Sequence, residues 1–377
     1  MFVPYFRTED SLEAIRECLE RGWTGLGFKT LDIEREWCEY TGLPHAHFLN
    51  SGTAALHVAL QMLKDDRGWE DGDEVISTPL TFVSTNQAIE YVRMRPVFAD
   101  VDEFLCLDPE SLVQRIGPRT RAVIFVGMGG STGQLQAVAD LCREHGLALI
   151  LDAAHMAGTR LDGRAPGHLA DVSCYSFQAV KNLPTADSGM VCFPSEDLDR
   201  RARQFSWVGV DKDTYARWNT GAYSWRYDVE MVGYKYHGNS IMAALALVGL
   251  KYLDLDNARR REIADIYRSR LAEIPELRVV PQAPGCESSS HLFQVRTPAR
   301  DALLGYLQTR GIFPGVHYRS NSEYGPFRDQ LGLCPTAEEA SSELLSLPLH
   351  LRMSDDDAHR VCDGVNAFFE VKAPPLP

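Results

Sequence analysis

Short apolar runs alternate with amphipathic segments between residues 50 and 195. The apolar runs predict strands and the amphipathic segments predict helices. Six strands are predicted, at Glu74–Thr78, Pro96–Val101, Ala122–Val126, Ala148–Asp152, Val172–Phe177 and Gly189–Phe193. Four helices are predicted between them, at Thr53–Leu63, Phe82–Tyr91, Asp108–Ile116 and Leu135–His145. Because buried strands alternate with helices, the pattern predicts an α/β fold with a mostly parallel sheet covered on both faces.

The pattern changes after residue 193. Trp207–Tyr236 is rich in Trp, Tyr, Gly and charged residues, and predicts a long irregular segment of the kind that often carries function. A helical run follows at about Ser240–Leu271, with a break or bend expected near Asp254–Asn257. We expect this helix to lead into a second domain.

The C-terminal third predicts a smaller α+β unit. Strands are predicted at Glu276–Val280 and Leu292–Arg296, and helices near residues 301–310, 337–346 and 354–370. The expected division is therefore a large domain at residues 1–250, which includes the N-terminal segment, and a small domain at residues 251–377.

Composition narrows the class of protein. The 377 residues are 45% hydrophobic and 24% charged, which is typical of a soluble globular chain and excludes intrinsic disorder. The net charge of −14 argues against a general role in binding nucleic acid or a membrane surface. No apolar stretch approaches the ~18 residues of a membrane span, and no signal peptide is recognisable. The nine cysteines form no CxxC pair, so we expect no metal site and a cytoplasmic location.

Three polar groups stand where ligands bind in parallel sheets, at strand ends and helix N-termini. Ser51-Gly52-Thr53 opens an apolar helix and suits a phosphate, although a simple helix cap explains it equally well. Asp152 ends an apolar strand, where most aspartates only form turns. Lys181 lies four residues beyond a predicted strand in an uncharged stretch, whereas most isolated lysines are solvated.

Taken together, these groups match the needs of pyridoxal phosphate. A lysine forms a Schiff base with this cofactor, and a carboxylate keeps its pyridine nitrogen protonated so that the ring accepts electrons. The helix N-terminus provides the phosphate site, and Phe82 is available to lie against the ring.

The chain resembles the DegT/StrS-type nucleotide-sugar aminotransferases, which belong to the fold-type I pyridoxal phosphate enzymes. The resemblance runs nearly end to end and is carried by a set of short motifs. They are GWTG at 22–25, SGTAALHVAL at 51–60, GDEVI at 72–76, TFVST at 81–85, PVFADVD at 96–102, LDAAHMAG at 151–158, SFQAVKNL at 176–183, HY at 317–318 and LPLH at 347–350.

The resemblance implies a role for each matching residue. Lys181 is implied as the Schiff-base lysine, Asp152 as the partner of the pyridine nitrogen, and His155 as a neighbour of the cofactor's phenolic oxygen. The phosphate site is implied at Gly52, Thr53, Ala54 and Ser176, and the ring contact at Phe82. The family is dimeric, and each active site borrows residues from the second subunit.

Three departures from the family pattern are visible. The histidine of the usual VHxxG is missing from Val126–Gly130, and the usual GEGG reads Ala186–Gly189. The usual GYNYRM reads Gly233–Gly238, where Lys235 replaces an asparagine. Because lysine is a cation with three donors, we expect Lys235 to bind the cofactor phosphate of the partner subunit, the alternative being a solvent-facing lysine.

Other residues are candidates for the substrate. His317 and Tyr318 are expected to reach the amino donor or the sugar, or else simply to pack. Trp23, Thr24 and Gly25 are expected at the mouth of the site, or else form an N-terminal capping turn. Arg226, with Arg319, is a candidate clamp for a diphosphate or carboxylate, and a surface ion pair is the alternative.

The sequence thus predicts pyridoxal phosphate-dependent transamination of a keto sugar linked to a nucleotide diphosphate. The donor expected from the family is L-glutamate, and the expected assembly is a homodimer with shared active sites. One alternative is a pyridoxamine phosphate-dependent sugar dehydratase, although those enzymes replace the lysine with histidine. The other is a cofactor-binding regulatory protein without turnover.

Overall fold

The computed structural model describes residues 3–211, 215 and 227–372. The first half of the described chain contains α1 (Thr8–Glu20), α2 (Phe28–Thr41), β1 (His45–Leu49), α3 (Gly52–Arg67), β2 (Glu74–Ser77), α4 (Ser84–Tyr91), β3 (Arg95–Phe98), α5 (Pro109–Arg115), β4 (Thr120–Val126), α6 (Leu135–Glu144) and β5 (Ala148–Asp152). The second half contains β6 (Arg160–Leu161), β7 (Val172–Ser176), β8 (Gly189–Phe193), α7 (Glu196–Ser206), α8 (Ser240–Leu271), β9 (Arg278–Val279), β10 (Cys286–Glu287), β11 (Phe293–Arg296), α9 (Arg300–Thr309), α10 (Pro335–Glu343), β12 (Leu344–Leu347) and α11 (Asp355–Lys372).

A seven-stranded sheet forms the centre of the fold. Its strand order is β1-β8-β7-β5-β4-β2-β3. Strands β3, β2, β4, β5 and β7 pair in parallel, and β8 runs antiparallel to both of its neighbours. The prediction of a mostly parallel α/β sheet is confirmed, and all six predicted strands lie in it.

Both faces of the sheet are covered. Successive residues of a strand point to opposite faces, so each strand contributes side chains to a core on either side. Val123 and Phe125 of β4 join a core with residues of α2, α6 and the first half of α8. Ala122 and Ile124 of the same strand join a second core with residues of α3, α4 and α7. This two-sided burial explains why the strands read as continuous apolar runs.

The edge strand β1 was not predicted from the sequence. Its residue His47 is buried, and its ring nitrogens contact the Glu34 carboxylate at 3.0 Å and the Ser206 hydroxyl at 2.6 Å. A histidine in the middle of a five-residue segment hides the apolar pattern of a strand. Helices α1 and α2 were likewise not predicted.

The predicted break in the long helix near Asp254–Asn257 is wrong, because α8 runs without interruption for 32 residues. The alternative, a bend at these residues, stays a prediction. The polar residues of α8 are tied to other elements instead of ending the helix. Tyr40 donates to Asp254 at 2.5 Å, Arg7 makes a bidentate ion pair with Asp256, and Asn257 donates to the Ala157 carbonyl at 2.9 Å. These hydrogen bonds and ion pairs with distant residues therefore outweigh the tendency of the polar residues to end the helix.

A smaller antiparallel sheet, β12-β11-β9, lies in the C-terminal part of the chain. It packs with the second half of α8 and with α9 and α11 in a third core that contains Ile263, Tyr267 and Val295. The helix predicted near residues 337–346 ends at Glu343 and continues as strand β12. Helix α8 contributes residues to both the first and the third core, and the predicted domain boundary at about residue 250 falls within this helix. The boundary therefore stays a prediction.

Residues 207–211 and 227–236 of the segment that was predicted to be irregular contain no helix or strand. They are held by isolated bridges, such as Trp207 to Lys235 and Val210 to Val229. Among the described helices, none is both long and apolar enough to cross a bilayer.

Candidate active site

A cavity of about 460 Å³ opens at the carboxyl ends of β5 and β7 and at the amino end of α3. Parallel sheets place ligands at this edge, because the helix N-termini and the strand ends meet there. Nine of the residues predicted from the sequence line the cavity, namely Gly52, Thr53, Phe82, Asp152, His155, Ser176, Lys181, His317 and Tyr318. The fold therefore brings together residues from five segments of the chain.

The amino end of α3 offers two free backbone donors. Ser51 caps the helix, and its hydroxyl accepts the Ala54 N–H at 3.1 Å. No described residue accepts a hydrogen bond from the N–H of Gly52 or of Thr53. Ala54 was predicted to share in phosphate binding, but its N–H is already used by the cap. The anion site of this helix is thus made by the first two amides and the positive end of the helix dipole.

Glycine is required at residue 52 because Ser176 packs directly against it. A Cβ on Gly52 would lie 2.9 Å from Ser176 Cβ, closer than carbon atoms approach each other. Ser176 ends β7, and its side chain is largely buried. The close approach places the Ser176 hydroxyl beside Gly52, so the amino end of α3 has three neutral donors in this part of the cavity.

Asp152 ends β5 and is buried at the floor of the cavity. Its carboxylate accepts the Thr85 hydroxyl at 2.7 Å and the Ala154 N–H at 3.1 Å. Burial raises the pKa of Asp152, while these two hydrogen bonds and the Lys181 charge oppose the rise. A carboxylate held in this way is ready to bind a cationic N–H group.

Lys181 lies on the loop five residues after the end of β7 and faces the same cavity. Its ammonium group forms no hydrogen bond or ion pair with any described residue. Burial lowers the pKa of Lys181 to about 8, although the Asp152 carboxylate acts against the shift. A substantial fraction of this amine is therefore uncharged and nucleophilic near neutral pH.

Hydrogen bonds fix the protonation of His155. Its Nδ1 accepts the Gly129 N–H at 3.2 Å, and burial holds the pKa of His155 well below its usual range. The neutral ring therefore carries its proton on Nε2, which lies 3.2 Å from the Tyr318 hydroxyl oxygen. Because that oxygen accepts the Nε2 proton, the Tyr318 O–H is available as a donor to the cavity. Burial also raises the pKa of Tyr318, so this hydroxyl stays protonated.

The structure adds three residues that the sequence did not single out. Thr85 contacts Asp152 from the first turn of α4, and Thr81 hydrogen-bonds to Thr85 at 2.9 Å. His291 also lines the cavity, and its ring centroid lies 4.3 Å from that of His155. Residue 291 is distant in sequence from the other cavity residues and belongs to no recognisable motif.

Several predicted residues lie elsewhere in the described chain. Trp23, Thr24 and Gly25 do not line the cavity, and the carbonyls of Thr24 and Gly25 accept the Ser240 N–H at the start of α8. The Lys235 ammonium lies 3.6 Å from the centre of the Trp207 ring in the same chain.

Arg319 also does not line the cavity. Arg319 forms an ion pair with Glu323 at 2.7 Å, which is the surface alternative considered for it. Arg226 lies outside the described residues.

The histidine missing from Val126–Gly130 has a structural explanation. A Cβ on Gly127 would overlap the sulfur of Met156, and Gly127 itself lines the cavity. The φ of Gly127 is −79°, so its backbone would accept any residue. The Met156 side chain therefore occupies the space that a larger residue at 127 would need.

Comparison with known proteins identifies relatives over nearly the whole chain. Residues 6–366 match the DegT/DnrJ/EryC1/StrS aminotransferase family. Among solved structures, the chain is similar to the aminotransferase TlmJ from Streptoalloteichus hindustanus, with 34% identity, 99% of each chain covered and a TM-score of 0.90. It is also similar to the sugar aminotransferase CalS13 from Micromonospora echinospora, with 26% identity, 97% and 98% of the two chains covered and a TM-score of 0.89. Spr1654 from Streptococcus pneumoniae, solved in a PMP form, has 27% identity, 99% and 100% coverage and a TM-score of 0.92.

Proposed function

Since the chain belongs to the DegT/DnrJ/EryC1/StrS aminotransferase family, we propose that it uses pyridoxal phosphate to aminate a keto sugar linked to a nucleotide diphosphate. The family and its sugar-aminotransferase relatives support a sugar as amino acceptor. The nucleotide linkage, and L-glutamate as donor, are our proposals from the motifs at residues 51–60, 151–158 and 176–183.

The residues present fit this cofactor. The free amides of Gly52 and Thr53 and the hydroxyl of Ser176 form a compact set of donors for a phosphate dianion. In the same cavity, the buried Asp152 carboxylate has no cationic partner at ion-pair distance among the described residues. A protonated pyridine nitrogen would supply that partner and stabilise the charged carboxylate.

When bound, pyridoxal phosphate supplies an aldehyde that condenses with amines and a ring that withdraws electrons from the carbon next to the nitrogen. Asp152 would keep the ring nitrogen protonated. Lys181 Nζ would hold the cofactor between turnovers and, once released as a free amine, would take the proton from the donor's Cα. His155 and Tyr318 would present neutral hydrogen-bonding groups to the cavity, and neither adds a negative charge there.

The observation that carries the proposal is the pairing of an unpartnered Lys181 amine with a buried Asp152 in one cavity. We expect the purified holoenzyme to release 2-oxoglutarate from L-glutamate only in proportion to its active sites until a keto sugar is added. A panel of nucleoside diphosphate keto sugars that differ in base then identifies the acceptor by sustained release of 2-oxoglutarate and by the mass of the amino sugar.

Lys181→Ala is the control for this assay, because the variant keeps the fold but has no amine to react. Disappearance of the keto sugar with loss of water and no consumption of glutamate would instead favour the dehydratase. Wild-type turnover by Lys181→Ala would refute the assignment of the lysine.

A further inference from the structure

A buried hydrogen-bond network surrounds the residue that follows Lys181. The Asn182 side-chain amide donates to Asn257 Oδ1 at 2.8 Å and to the Ser289 carbonyl at 2.7 Å. Asn257 in turn donates to the Ala157 carbonyl at 2.9 Å. Asn182 thus ties the loop that carries Lys181 to α8 and to residues 288–291 of the C-terminal part of the chain.

The network also fixes the protonation of His291. Both donated bonds of Asn182 come from its nitrogen, so its Oδ1 can only accept, and it lies 2.8 Å from His291 Nδ1. His291 must therefore carry a proton on Nδ1. Because the pKa of His291 lies well below its usual range through burial, the neutral ring has no proton on Nε2. His155 and His291 are thus adjacent neutral rings of opposite tautomer, tilted by 34° with their centroids 4.3 Å apart.

Besides burial, the strongest influences on the pKa of His291 are His155, Lys181, His317 and Arg260, and all four lower it. The protonated form of the ring is therefore disfavoured in this cavity.

We propose that His291 is a positioning residue for Lys181: with Asn182 it clamps the lysine's loop to α8, and it keeps an uncharged imidazole beside the amine. The inference takes from the proposed function only that Lys181 is the reacting amine. His291 itself need not contact the substrate. It acts through its hydrogen bond to Asn182 and by remaining an uncharged ring in the cavity that holds Lys181.

The tautomers give a direct test that does not depend on catalysis. In the ¹⁵N-histidine spectrum of the full chain without cofactor, the resonance that disappears in His291→Phe should report an Nδ1-protonated neutral ring from pH 6 to pH 8. The resonance that disappears in His155→Phe should report the opposite tautomer. A charged or Nε2-protonated His291 in this range would refute the proposal.

Two substitutions at residue 291 separate positioning from packing. His291→Phe keeps a ring against His155 but leaves the buried Asn182 Oδ1 without its donor, and we expect kcat to fall roughly tenfold. His291→Asn supplies a donor without the ring and should recover most of that loss. His145→Phe, at the exposed end of α6, is the matched control and should leave kcat unchanged. Wild-type kcat in His291→Phe would overturn the proposal, and equal losses in both variants would reduce His291 to a packing residue.

Failure of the transamination assay would leave the tautomer measurement valid, so the two proposals fail separately.

Discussion

Burial acts on the two central residues in opposite directions, and this sets the chemistry of the cavity. It lowers the pKa of the Lys181 amine to about 8 and disfavours the charge on the Asp152 carboxylate. Each group would stabilise the charge on the other, yet they form no ion pair within the described residues. The amine therefore remains a nucleophile, and the carboxylate remains available to a cationic ligand.

The lowered pKa of Lys181 predicts its reactivity in the protein without cofactor. An amine reacts only when it has lost its proton, so the rate of acylation at Lys181 should rise with pH through a midpoint of about 8. The ordinary lysine midpoint is near 10.4. Peptide mass spectrometry after short labelling pulses measures both Lys181 and the exposed Lys251, which serves as the internal reference. Identical profiles for the two lysines would contradict the lowered pKa.

Asp152→Asn tests the buried carboxylate. The variant should keep the cofactor, because the phosphate donors and Lys181 are intact, but it should lose roughly two orders of magnitude or more in kcat, since an amide cannot hold a ring nitrogen protonated. Asp152→Glu should be milder yet impaired. Cofactor content by absorbance and kcat from 2-oxoglutarate release check the prediction. Near-wild-type turnover in Asp152→Asn would make Asp152 a turn residue only.

Some residues of the site could be predicted from the sequence, and others could not. Asp152 and Lys181 were recognisable because Asp152 ends one apolar strand and Lys181 lies a few residues beyond another. Thr85 and His291 were not, because their roles depend on contacts with residues 67 and 109 positions away. The hydrogen bond from the Ala54 N–H to the Ser51 hydroxyl could not be predicted either, because the motif alone does not show which backbone amide binds the capping side chain.

At the scale of elements, sheet strands were better predicted than connections. β5 and β8 begin and end where predicted, because burial on both faces leaves an unbroken apolar run. The predicted break in α8 failed because Asp254, Asp256 and Asn257 are satisfied by distant partners. In the sequence, a run of polar residues looks like a helix end as long as the distant residues that bind their side chains are not known.

The contact between the loop after β4 and the segment after β5 predicts a compensating pair. Gly127→Ala should destabilise the fold by about 1–3 kcal/mol, because the new Cβ overlaps Met156 while the backbone is unstrained. Met156→Ala should cost about 2–5 kcal/mol through the cavity that it leaves. The double variant should be less destabilised than the sum of the two, since each change relieves the other.

Chemical unfolding of the four proteins measures this coupling. Gly163→Ala is unsuitable as a control because its φ is +79°, whereas Gly25→Ala, which meets no atom within 4 Å, should leave the free energy of unfolding nearly unchanged. Strict additivity in the cycle would show that Met156 does not limit the size of residue 127.

At the scale of the whole molecule, the surface beyond α7 is unusual for an isolated chain. Large apolar side chains are exposed there, among them Tyr227, Val229, Tyr234 and Val232, the last of which is 92% exposed. Exposed apolar clusters of this kind usually mark an interface. This supports our proposal of a homodimer, and it places Lys235 within the surface that a second copy would cover.

The prediction that belongs to the dimer concerns Lys235. Within one chain its ammonium lies on the Trp207 ring and outside the cavity, so a direct role in catalysis requires a second subunit. Lys235→Ala should therefore be strongly impaired, as should Lys181→Ala. Mixing the two variants by co-expression creates dimers in which one site has both lysines. With random pairing half of the dimers are mixed and each has one complete site, so about a quarter of wild-type activity should return. Full activity in Lys235→Ala alone would show that the lysine is dispensable. A folded, dimeric mixture without recovery would show that Lys235 does not complete its partner's site.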